Sequence, residues 1–352
     1  VVFDEASQIT VPDAVGAIGR ARAAVIAGDS RQLPPTSFGE LGSGLDDAED
    51  DAASDFAVVR DEESILSELV HAGVERRWLS WHYRSQDESL IAFSNAHYYE
   101  SRLSSFPAYP GQTQDTGVSV HRVDGTFHRS GDGGLLRTNP VEAQAVVGEV
   151  LRRWAAGERS IGIVTFNLQQ RTLIEKMLWD SGIEAIVESL ARGKDGLFVK
   201  NLENVQGDER DVILFSTGFS KNRQGVLPLN FGPLNRAGGE RRLNVAVTRA
   251  RRRVMVFTSF EPEDLRVEAT SSVGIRHLRD YLAAARSASG TGAASGADRP
   301  TDAPPPGSPA DSVTPVSSPA DSSVGAGSSV GAGSSVADLR GQASHRVTIV
   351  DR

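Results

Sequence analysis

The chain has 352 residues, of which 39% are hydrophobic and none is cysteine, and its formal net charge is −9. This composition suits a soluble globular protein of one or two domains, and it excludes disulfides, thiolate metal sites and cysteine nucleophiles. No apolar run approaches the roughly 18 residues of a membrane span. We therefore expect a cytoplasmic protein with no membrane partner.

The first residues predict a strand that ends in two acids. Three apolar residues lead directly into Asp4 and Glu5. Open parallel sheets bind their ligands at the carboxyl ends of strands, where one carboxylate can hold Mg²⁺ and the next can polarise an attacking water. An ordinary solvated acidic pair is the alternative. Because the chain begins within this strand and without methionine, we expect it to be a fragment.

A second strand with a polar end is predicted nearby. A helix near residues 11–18 precedes an apolar run over 23–27, which ends at Gly28 and Asp29. Gln32 follows at a distance suited to reach a γ-phosphate, and two prolines then stop any helix. We assign residues 1–38 to a truncated first domain.

The acidic residues concentrate in the next segment. Residues 40–63 contain ten acids and one arginine, which accounts for the whole net charge of −9. The rest of the chain is neutral overall and has a basic cluster between Arg236 and Arg253. Net charge is therefore no argument against a nucleic-acid partner. We predict a mobile acidic loop over 39–63.

Residues 64–286 alternate strand and helix, which is typical of an α/β fold with a doubly wound parallel sheet. The predicted strands cover 118–123, 161–166, 185–187, 197–200, 212–215 and 254–258. The predicted helices cover 63–72, 85–99, 140–154, 167–180, 241–250 and 273–285. Residues 287–352 are rich in Ser, Ala, Gly and Pro and predict a linker or disordered tail, with 346–350 as a short strand or simply the end.

Three segments of this second domain carry candidate phosphate-binding groups. Arg84 lies at a strand-to-helix junction, where it could point at a phosphate or form a structural salt bridge. Thr165 and Gln170 flank a helix start that suits a nucleic-acid phosphate, although helix capping explains the pattern equally well. Arg249 and Arg251 are predicted in the last turn of a helix, where they could stabilise charge on a transferred phosphoryl group or form a basic face.

A polar turn before the predicted strand at residue 212 adds a fourth candidate. Gly207 allows a close backbone approach, and Gln206 and Glu209 could bind a backbone phosphate and a nucleotide ribose. A polar turn without function is the alternative.

The order of these motifs resembles superfamily I helicases of the up-frameshift-like (DNA2/NAM7-type) group over roughly residues 1–285. Asp4-Glu5 looks like motif II, residues 28–35 like motif III, Tyr83-Arg84 like motif IV, residues 205–211 like motif V and residues 245–251 like motif VI. Residues 199–211 and 229–235 are similar to large bacterial members that often carry a Vsr-like nuclease domain downstream.

The resemblance implies a RecA-like fold of the P-loop NTPase class, with ATP and Mg²⁺ as ligands. By that resemblance Asp4 coordinates Mg²⁺, Glu5 activates water and Gln32 senses the γ-phosphate. Arg84 and Arg249 are then arginine fingers. The remaining implied nucleotide contacts are Gly28, Asp29, Gly207, Glu209 and Arg251, and the implied nucleic-acid contacts are Thr165, Gln170 and Gln206.

One expected element is absent from the sequence. No Gly-x-x-x-x-Gly-Lys-Ser/Thr occurs in the 352 residues, so the phosphate cradle with its lysine is missing. We expect the C-terminal motor portion of an ATP-dependent translocase on single-stranded nucleic acid, with DNA favoured over RNA. Such a portion is inactive without its N-terminal half. The alternatives are a non-catalytic nucleic-acid-binding or regulatory module and an interaction protein that uses the acidic loop and tail.

Overall fold

The computed structural model describes residues 1–35, 64–105, 115–129, 135–193, 196–291 and 346–351. The predicted acidic loop and most of the predicted tail lie outside these residues. The strands are β1 (Val2–Phe3), β2 (Ala23–Ala27), β3 (Arg76–Trp78), β4 (Trp81–His82), β5 (Ser104–Ser105), β6 (Gly117–Arg122), β7 (Ile161–Thr165), β8 (Phe198–Asn201), β9 (Arg210–Ser220), β10 (Ala250–Ser259) and β11 (Arg346–Asp351). The helices are α1 (Val11–Ile18), α2 (Ile65–His71), α3 (Ser89–Tyr98), α4 (Pro140–Ala155), α5 (Leu168–Asp180), α6 (Glu184–Ala191), α7 (Gly239–Val247) and α8 (Val273–Thr291).

A five-stranded sheet forms the centre of the larger unit. Its order is β6-β10-β9-β7-β8, and every neighbouring pair is parallel. Successive residues of β9 face opposite sides, so Ile213 and Phe215 join one buried cluster while Val212 and Leu214 join the other. Helices α3, α7 and α8 contribute to the first cluster, and α4, α5 and α6 to the second. The predicted α/β doubly wound parallel fold is confirmed.

A smaller sheet is built from both ends of the described chain. Its order is β1-β2-β11-β3, again with parallel pairs. Thr10 and Ser64 cap α1 and α2, and each accepts a backbone N–H three residues on. The core beneath this sheet is small and consists of Ala6, Ala14, Ala24, Ile26, Ile65, Leu66 and Ile349.

The structure corrects two predictions about this division. Helix α2 and strand β3 belong to the small sheet, although the sequence boundary at residue 64 placed them in the second domain. They pack there because the apolar residues Ile65 and Leu66 complete the core beneath β2. Residues 346–350, predicted as a short strand or simply the end, lie in β11 of the same sheet, so the short-strand alternative is confirmed and their assignment to the tail is wrong.

Two local predictions were also wrong. Residues 185–187 lie in helix α6, not in a strand. The apolar residues Ile183, Ile186, Val187 and Leu190 recur at helical spacing, and the three-residue run Ala-Ile-Val hid that period. Helix α7 ends at Val247, so the two predicted arginines follow the helix instead of lying in its last turn. In the part of the chain that the structure describes, no helix is long and apolar enough to cross a membrane.

Candidate active site

The predicted acidic pair follows β1 at the carboxyl edge of the small sheet. Both side chains are exposed, and Asp4 Oδ1 accepts the backbone N–H of Glu5 at 2.9 Å. Glu5 has a left-handed backbone conformation with φ of 50°, and Gln8 Nε2 donates to its carboxylate at 3.3 Å. A non-glycine residue in this region costs on the order of 1 kcal/mol and occurs preferentially at functional sites. The turn presents both carboxylates to solvent beyond the strand.

The loop after β2 lies beside this turn. A Cβ atom on Gly28 would come within 3.1 Å of the backbone N of Ser7, which is tighter than most Cβ contacts, so the close approach of the two segments favours glycine. The next residue, Asp29, is buried and accepts hydrogen bonds from Arg31 N at 2.9 Å and from Gln32 Nε2 at 2.8 Å. Burial raises the pKa of the Asp29 carboxyl, although these hydrogen bonds oppose the rise.

The Gln32 amide connects the two sheets. Because its nitrogen donates to Asp29, its oxygen points away and accepts from Arg249 Nη2 at 3.3 Å. Arg249 is only 2% exposed and also donates to Val245 O at 2.7 Å and to Thr248 Oγ1 at 3.3 Å. All three acceptors are neutral. Burial lowers the pKa of the Arg249 guanidinium to about 10.

A second contact joins three predicted residues at the amino ends of β9 and β10. Glu209 accepts from Arg84 Nε at 2.6 Å and from Arg251 Nη2 at 2.8 Å, and Arg251 also approaches Asp211 at 3.4 Å. The hydrogen bond from Arg84 is the main reason that the pKa of Glu209 is below its usual value. Gln86 N donates to Arg251 O at 2.7 Å, which ties the Arg84 segment to β10. Arg84 is therefore ion-paired, as the salt-bridge alternative predicted, and its contact with a phosphate stays a prediction.

The turn before β9 holds the remaining predicted contacts. Gly207 has φ of 83°, a conformation that glycine adopts without strain. Lys200 forms an ion pair with Asp208 and fixes the turn to β8. Gln206 Nε2 is buried and has no hydrogen-bond acceptor among the described residues. The contact of Gln206 with a nucleic-acid strand stays a prediction.

The structure buries Thr165 and Gln170 inside the larger unit. Both side chains are fully buried. Thr165 Oγ1 donates to Asn167 O at 2.8 Å, and Gln170 exchanges hydrogen bonds with the backbone of Asn139 and donates to Ser216 Oγ at 3.0 Å. We assign both residues a structural role in place of the predicted nucleic-acid contact, because their polar groups are satisfied inside the domain.

The comparisons with known proteins show the family of the chain. A protein-family model described as "AAA domain" matches residues 62–261. The chain belongs to this AAA-domain family. The ATP-dependent helicase MG140 of Mycoplasma genitalium is 34% identical over 289 residues, which are 80% of this chain and 25% of that protein. The predicted resemblance to superfamily I helicases of the up-frameshift-like group is confirmed, whereas the Vsr-like nuclease stays a prediction.

Two eukaryotic relatives are more distant. The DNA-binding protein SMUBP-2 of Mus musculus is 26% identical over 274 residues, 73% of this chain and 24% of that protein. The ATP-dependent helicase upf1 of Schizosaccharomyces pombe is 26% identical over 270 residues, 73% of this chain and 26% of that protein. The chain thus spans about a quarter of the length of the curated relatives that it matches.

Two residues of the candidate site were not predicted from the sequence. Tyr99 donates its hydroxyl to Asp29 Oδ2 at 2.7 Å, and Asn244 Nδ2 donates to that hydroxyl at 3.0 Å and to Arg31 O at 3.1 Å. Asn244 lies one helical turn before Thr248, so the helical period could have placed it on the same face. Nothing in the local sequence around Tyr99 distinguishes it, since its role depends on a contact 70 residues away.

The side chains of the candidate site supply only some of the ligands that a Mg²⁺ ion needs. Among the described residues, no group of three or more His, Cys, Asp or Glu side chains could hold a metal ion by itself. Asp4 nevertheless offers an exposed carboxylate, which is the ligand type that Mg²⁺ prefers together with water and substrate phosphates. A cation would therefore need oxygen ligands from the nucleotide as well.

Proposed function

We propose that this chain is the C-terminal motor portion of an ATP-dependent helicase or translocase of superfamily I, which moves along single-stranded nucleic acid. One observation carries the proposal: Arg249 contacts Gln32 across the two sheets, beside the ion-paired group of Arg84, Glu209 and Arg251. The carboxyl edge of the small sheet thus meets the amino edge of the large sheet. A cleft of this kind can hold ATP between two domains and couple its hydrolysis to their closure.

The arginines supply the positive charge for the phosphates. Arg249 has neutral acceptors only, so an incoming γ-phosphate would replace the Gln32 oxygen with an anion and gain a charge-assisted bond. Arg84 and Arg251 are held by Glu209, which positions them at the rim. Guanidinium groups placed in this way stabilise charge that develops on the transferred phosphoryl group.

The acids and Gln32 supply the hydrolytic chemistry. The oxygen of a water molecule attacks the γ-phosphorus, the bond to the ADP oxygen breaks, and Glu5 accepts the proton that the water loses. Gln32 Nε2 donates one N–H to Asp29, and its second N–H would donate to an oxygen of the γ-phosphate. Asp4 would hold Mg²⁺, and that ion neutralises phosphate charge when bound.

The phosphate cradle has to come from polypeptide outside these 352 residues, because no Gly-x-x-x-x-Gly-Lys-Ser/Thr occurs in them. We therefore expect the purified chain to hydrolyse no ATP above background, with or without single-stranded DNA. Turnover that is stimulated by DNA and abolished by Glu5→Gln would refute the inference that the site is incomplete.

The positive test joins Val1 to the corresponding preceding part of the Mycoplasma genitalium relative, which restores a continuous polypeptide. We expect DNA-stimulated ATP hydrolysis that falls on the order of 10³-fold in Arg249→Ala, by analogy with other arginine fingers. Arg171→Ala is the matched control, since Arg171 pairs with Glu175 in α5 and donates to Val199 O, and neither contact involves Gln32 or Glu209. Equal turnover of both variants would contradict the assigned role of Arg249.

A non-catalytic nucleic-acid-binding module is the second candidate, and the missing phosphate loop favours it. Fluorescence anisotropy with single-stranded DNA and RNA of one sequence separates the two candidates. The motor predicts binding that weakens steeply with salt and that changes when ATP is added to the joined protein. The module predicts the same salt dependence without any effect of ATP. We expect tighter binding to DNA, and one relative carries the name DNA-binding protein.

A further inference from the structure

A buried histidine lies two residues before Arg84. His82 ends strand β4, which pairs in parallel with β5, and its side chain is only 1% exposed. Together with Gln32 and Arg84, His82 lines a small cavity where the two sheets meet. The imidazole thus borders the same cavity as the guanidinium that is proposed to contact the phosphates.

The imidazole is bonded to Ser85, which lies just after the arginine. Ser85 N donates to His82 Nε2 at 3.3 Å, and Ser85 Oγ lies 2.8 Å from the same nitrogen. A ring nitrogen that accepts an N–H carries no proton, so the ring is the neutral Nδ1–H tautomer and the serine hydroxyl also donates to it. Ser85 is 2% exposed, so little water competes for these bonds. The two residues therefore close a turn over residues 82–85 that contains Arg84.

This turn fixes the base of the Arg84 side chain. Directly after the turn, Gln86 N donates to Arg251 O at 2.7 Å and ties the chain to β10. Arg84 Nε then donates to Glu209 at 2.6 Å. Because an arginine side chain is long and flexible, a backbone that is held on both sides raises the fraction of molecules in which the guanidinium has one position.

The electrostatics of the cleft make such support necessary. Burial lowers the pKa of the Arg249 guanidinium most, and the positive charge of Arg84 lowers it further, so the two cations lie close to each other. Like charges at short range repel, and this repulsion favours positions of Arg84 that are farther from the cleft. The carboxylate of Glu209 and the turn over residues 82–85 both oppose that movement.

We propose that His82 is a positioning residue for hydrolysis, because its hydrogen bonds with Ser85 hold the turn from which Arg84 reaches the phosphates. The imidazole acts through Arg84, stays a neutral acceptor and does not contact the nucleotide. The role in hydrolysis rests on the proposed function of the cleft. The effect of His82 on the pair between Arg84 and Glu209 does not.

The first experiment uses the 352-residue chain and takes the carboxyl of Glu209 as a reporter. His82→Phe keeps a buried ring but removes the acceptor, whereas the amide oxygen of His82→Gln can take the place of Nε2. The hydrogen bond from Arg84 is the main reason that the pKa of Glu209 is lowered. We expect an NMR titration to show that the pKa of Glu209 rises toward 4.5 in His82→Phe and keeps its wild-type value in His82→Gln.

His121→Phe is the matched control. His121 Nε2 lies 3.0 Å from Ser119 Oγ in β6, so this variant also loses a histidine–serine bond, but one outside the turn that contains Arg84. We expect it to leave the pKa of Glu209 unchanged. An equal rise in His121→Phe would overturn the proposal, because the effect would then follow from any loss of this kind.

A milder variant covers the case in which His82→Phe does not fold. Ser85→Ala removes the hydroxyl donor and keeps the backbone N–H, so the pKa of Glu209 should rise in the same direction but less. Protection of the Val254 amide from exchange reports whether each variant is folded. An unchanged pKa of Glu209 in folded His82→Phe, or in Ser85→Ala where His82→Phe is unfolded, rejects the proposal.

The second experiment measures ATP hydrolysis by the joined protein described above. We expect kcat to fall about 10-fold in His82→Phe with KM for ATP within about twofold of wild type, because Arg84 acts on charge that develops in the transition state. His82→Gln should restore kcat. In an Arg84→Ala background, His82→Phe should have no further effect, since the imidazole acts through that arginine.

Two results of the second experiment contradict the positioning role. One is a wild-type kcat in His82→Phe, and the other is a further loss of about 10-fold when His82→Phe is added to Arg84→Ala. A joined protein without any turnover would instead refute the proposed function. The titration of Glu209 needs neither ATP nor the preceding half of the motor, so it still decides whether His82 positions Arg84.

Discussion

Two buried arginines of this protein, Arg153 and Arg249, differ in their partners. From this difference we infer that Arg153 contributes to stability and that Arg249 serves function. Arg153 is 1% exposed and forms ion pairs with Asp115, Glu149 and Glu158. Arg249 is 2% exposed, and among the described residues it has no carboxylate within ion-pair distance. A buried charge without a counter-charge costs folding free energy, so its presence indicates selection for another purpose.

Replacing each arginine with methionine tests this difference. We expect Arg249→Met to leave the free energy of unfolding unchanged or to raise it by about 1 kcal/mol, because an apolar side chain replaces an unpaired buried charge. Arg153→Met should lower it by about 3 kcal/mol, because three acids lose their common partner. Urea denaturation of both variants measures the two effects. A larger loss for Arg249→Met than for Arg153→Met would disprove the assignment.

Glu142 is a buried acid with a pKa near neutrality. Its carboxylate accepts Gly218 N at 2.7 Å, Ser216 Oγ at 2.8 Å and Ser259 Oγ at 3.1 Å. Burial raises the pKa of Glu142 to about 7, against the lowering effect of these donors. The protonated form is therefore favoured in the folded state relative to the unfolded chain, where the pKa is 4.5.

The sign of the resulting pH dependence follows from linkage. The stabilisation by the protonated carboxyl is complete below pH 4.5 and is lost as the pH rises through about 7. Relative to Glu142→Gln, the wild-type free energy of unfolding should fall by roughly 3 kcal/mol over this interval. Thermal or urea unfolding of both proteins from pH 4.5 to 8 gives this difference, in which all other titrating groups cancel. A difference that does not change with pH would contradict the raised pKa of Glu142.

Helices and strands with long periodic sequence patterns could be predicted. Those whose bounds or pairing depend on residues far away in the sequence could not. Helix α4 begins after Asn139 as predicted, and the cap and proline at its start are local signals. Helix α7 ends before Arg249, which donates to Val245 O and reaches Gln32 in the loop of the other sheet, a contact that no local pattern indicates. Strand β11 was ambiguous because its partners β2 and β3 are more than 260 residues away in sequence.

Two glycines lie within regular elements and differ in the space around them. The packing at each position decides whether replacing it with alanine stabilises or destabilises the protein. Gly148 lies in α4, where an added Cβ would meet nothing within 4 Å. Gly162 lies in β7 opposite Phe198, and its Cβ would lie 2.4 Å from the phenyl ring. The first glycine only weakens its helix, whereas the second makes room for a neighbouring strand.

Alanine substitutions should therefore have opposite effects. We expect Gly148→Ala to raise the free energy of unfolding by about 0.5–1 kcal/mol through helix propensity. Gly162→Ala should lower it by about 1–3 kcal/mol through overpacking. The double variant Gly162→Ala with Phe198→Leu should recover part of the loss, since the shorter side chain vacates the space. If the two substitutions lowered the free energy of unfolding additively in the double variant, the Phe198 ring would not be the group that the methyl group of Gly162→Ala collides with.

At the scale of the whole molecule, the candidate site exists only where the two sheets meet. The motifs predicted Asp4, Glu5, Arg84 and Arg249 as site residues, but which of them lie together depends on hydrogen bonds between distant segments. Tyr99 and Asn244 make several of these bonds and were not predicted. A single sequence shows residue type and spacing, whereas contacts between domains depend on how the surfaces fit.

Tyr99 should therefore control how firmly the small sheet is attached. Its hydroxyl donates to Asp29 and accepts from Asn244, and the small sheet has too small a core to be stable by itself. We expect Tyr99→Phe to accelerate amide exchange about 10-fold at Ile26 in β2, which corresponds to about 1.4 kcal/mol, and to leave Val254 in β10 unchanged.

Tyr281→Phe provides the control for that experiment. Tyr281 is equally buried in α8, but its hydroxyl has no hydrogen-bond partner in the described part of the chain. Removing a buried hydroxyl that bonds nothing should leave both amides unchanged or increase their protection. If both variants accelerated amide exchange at Ile26 to the same extent, the lost protection would come from disturbed packing of the aromatic rings. A selective effect of Tyr99→Phe would instead show that this hydroxyl couples the loop that carries Gln32 to the domain that carries Arg249.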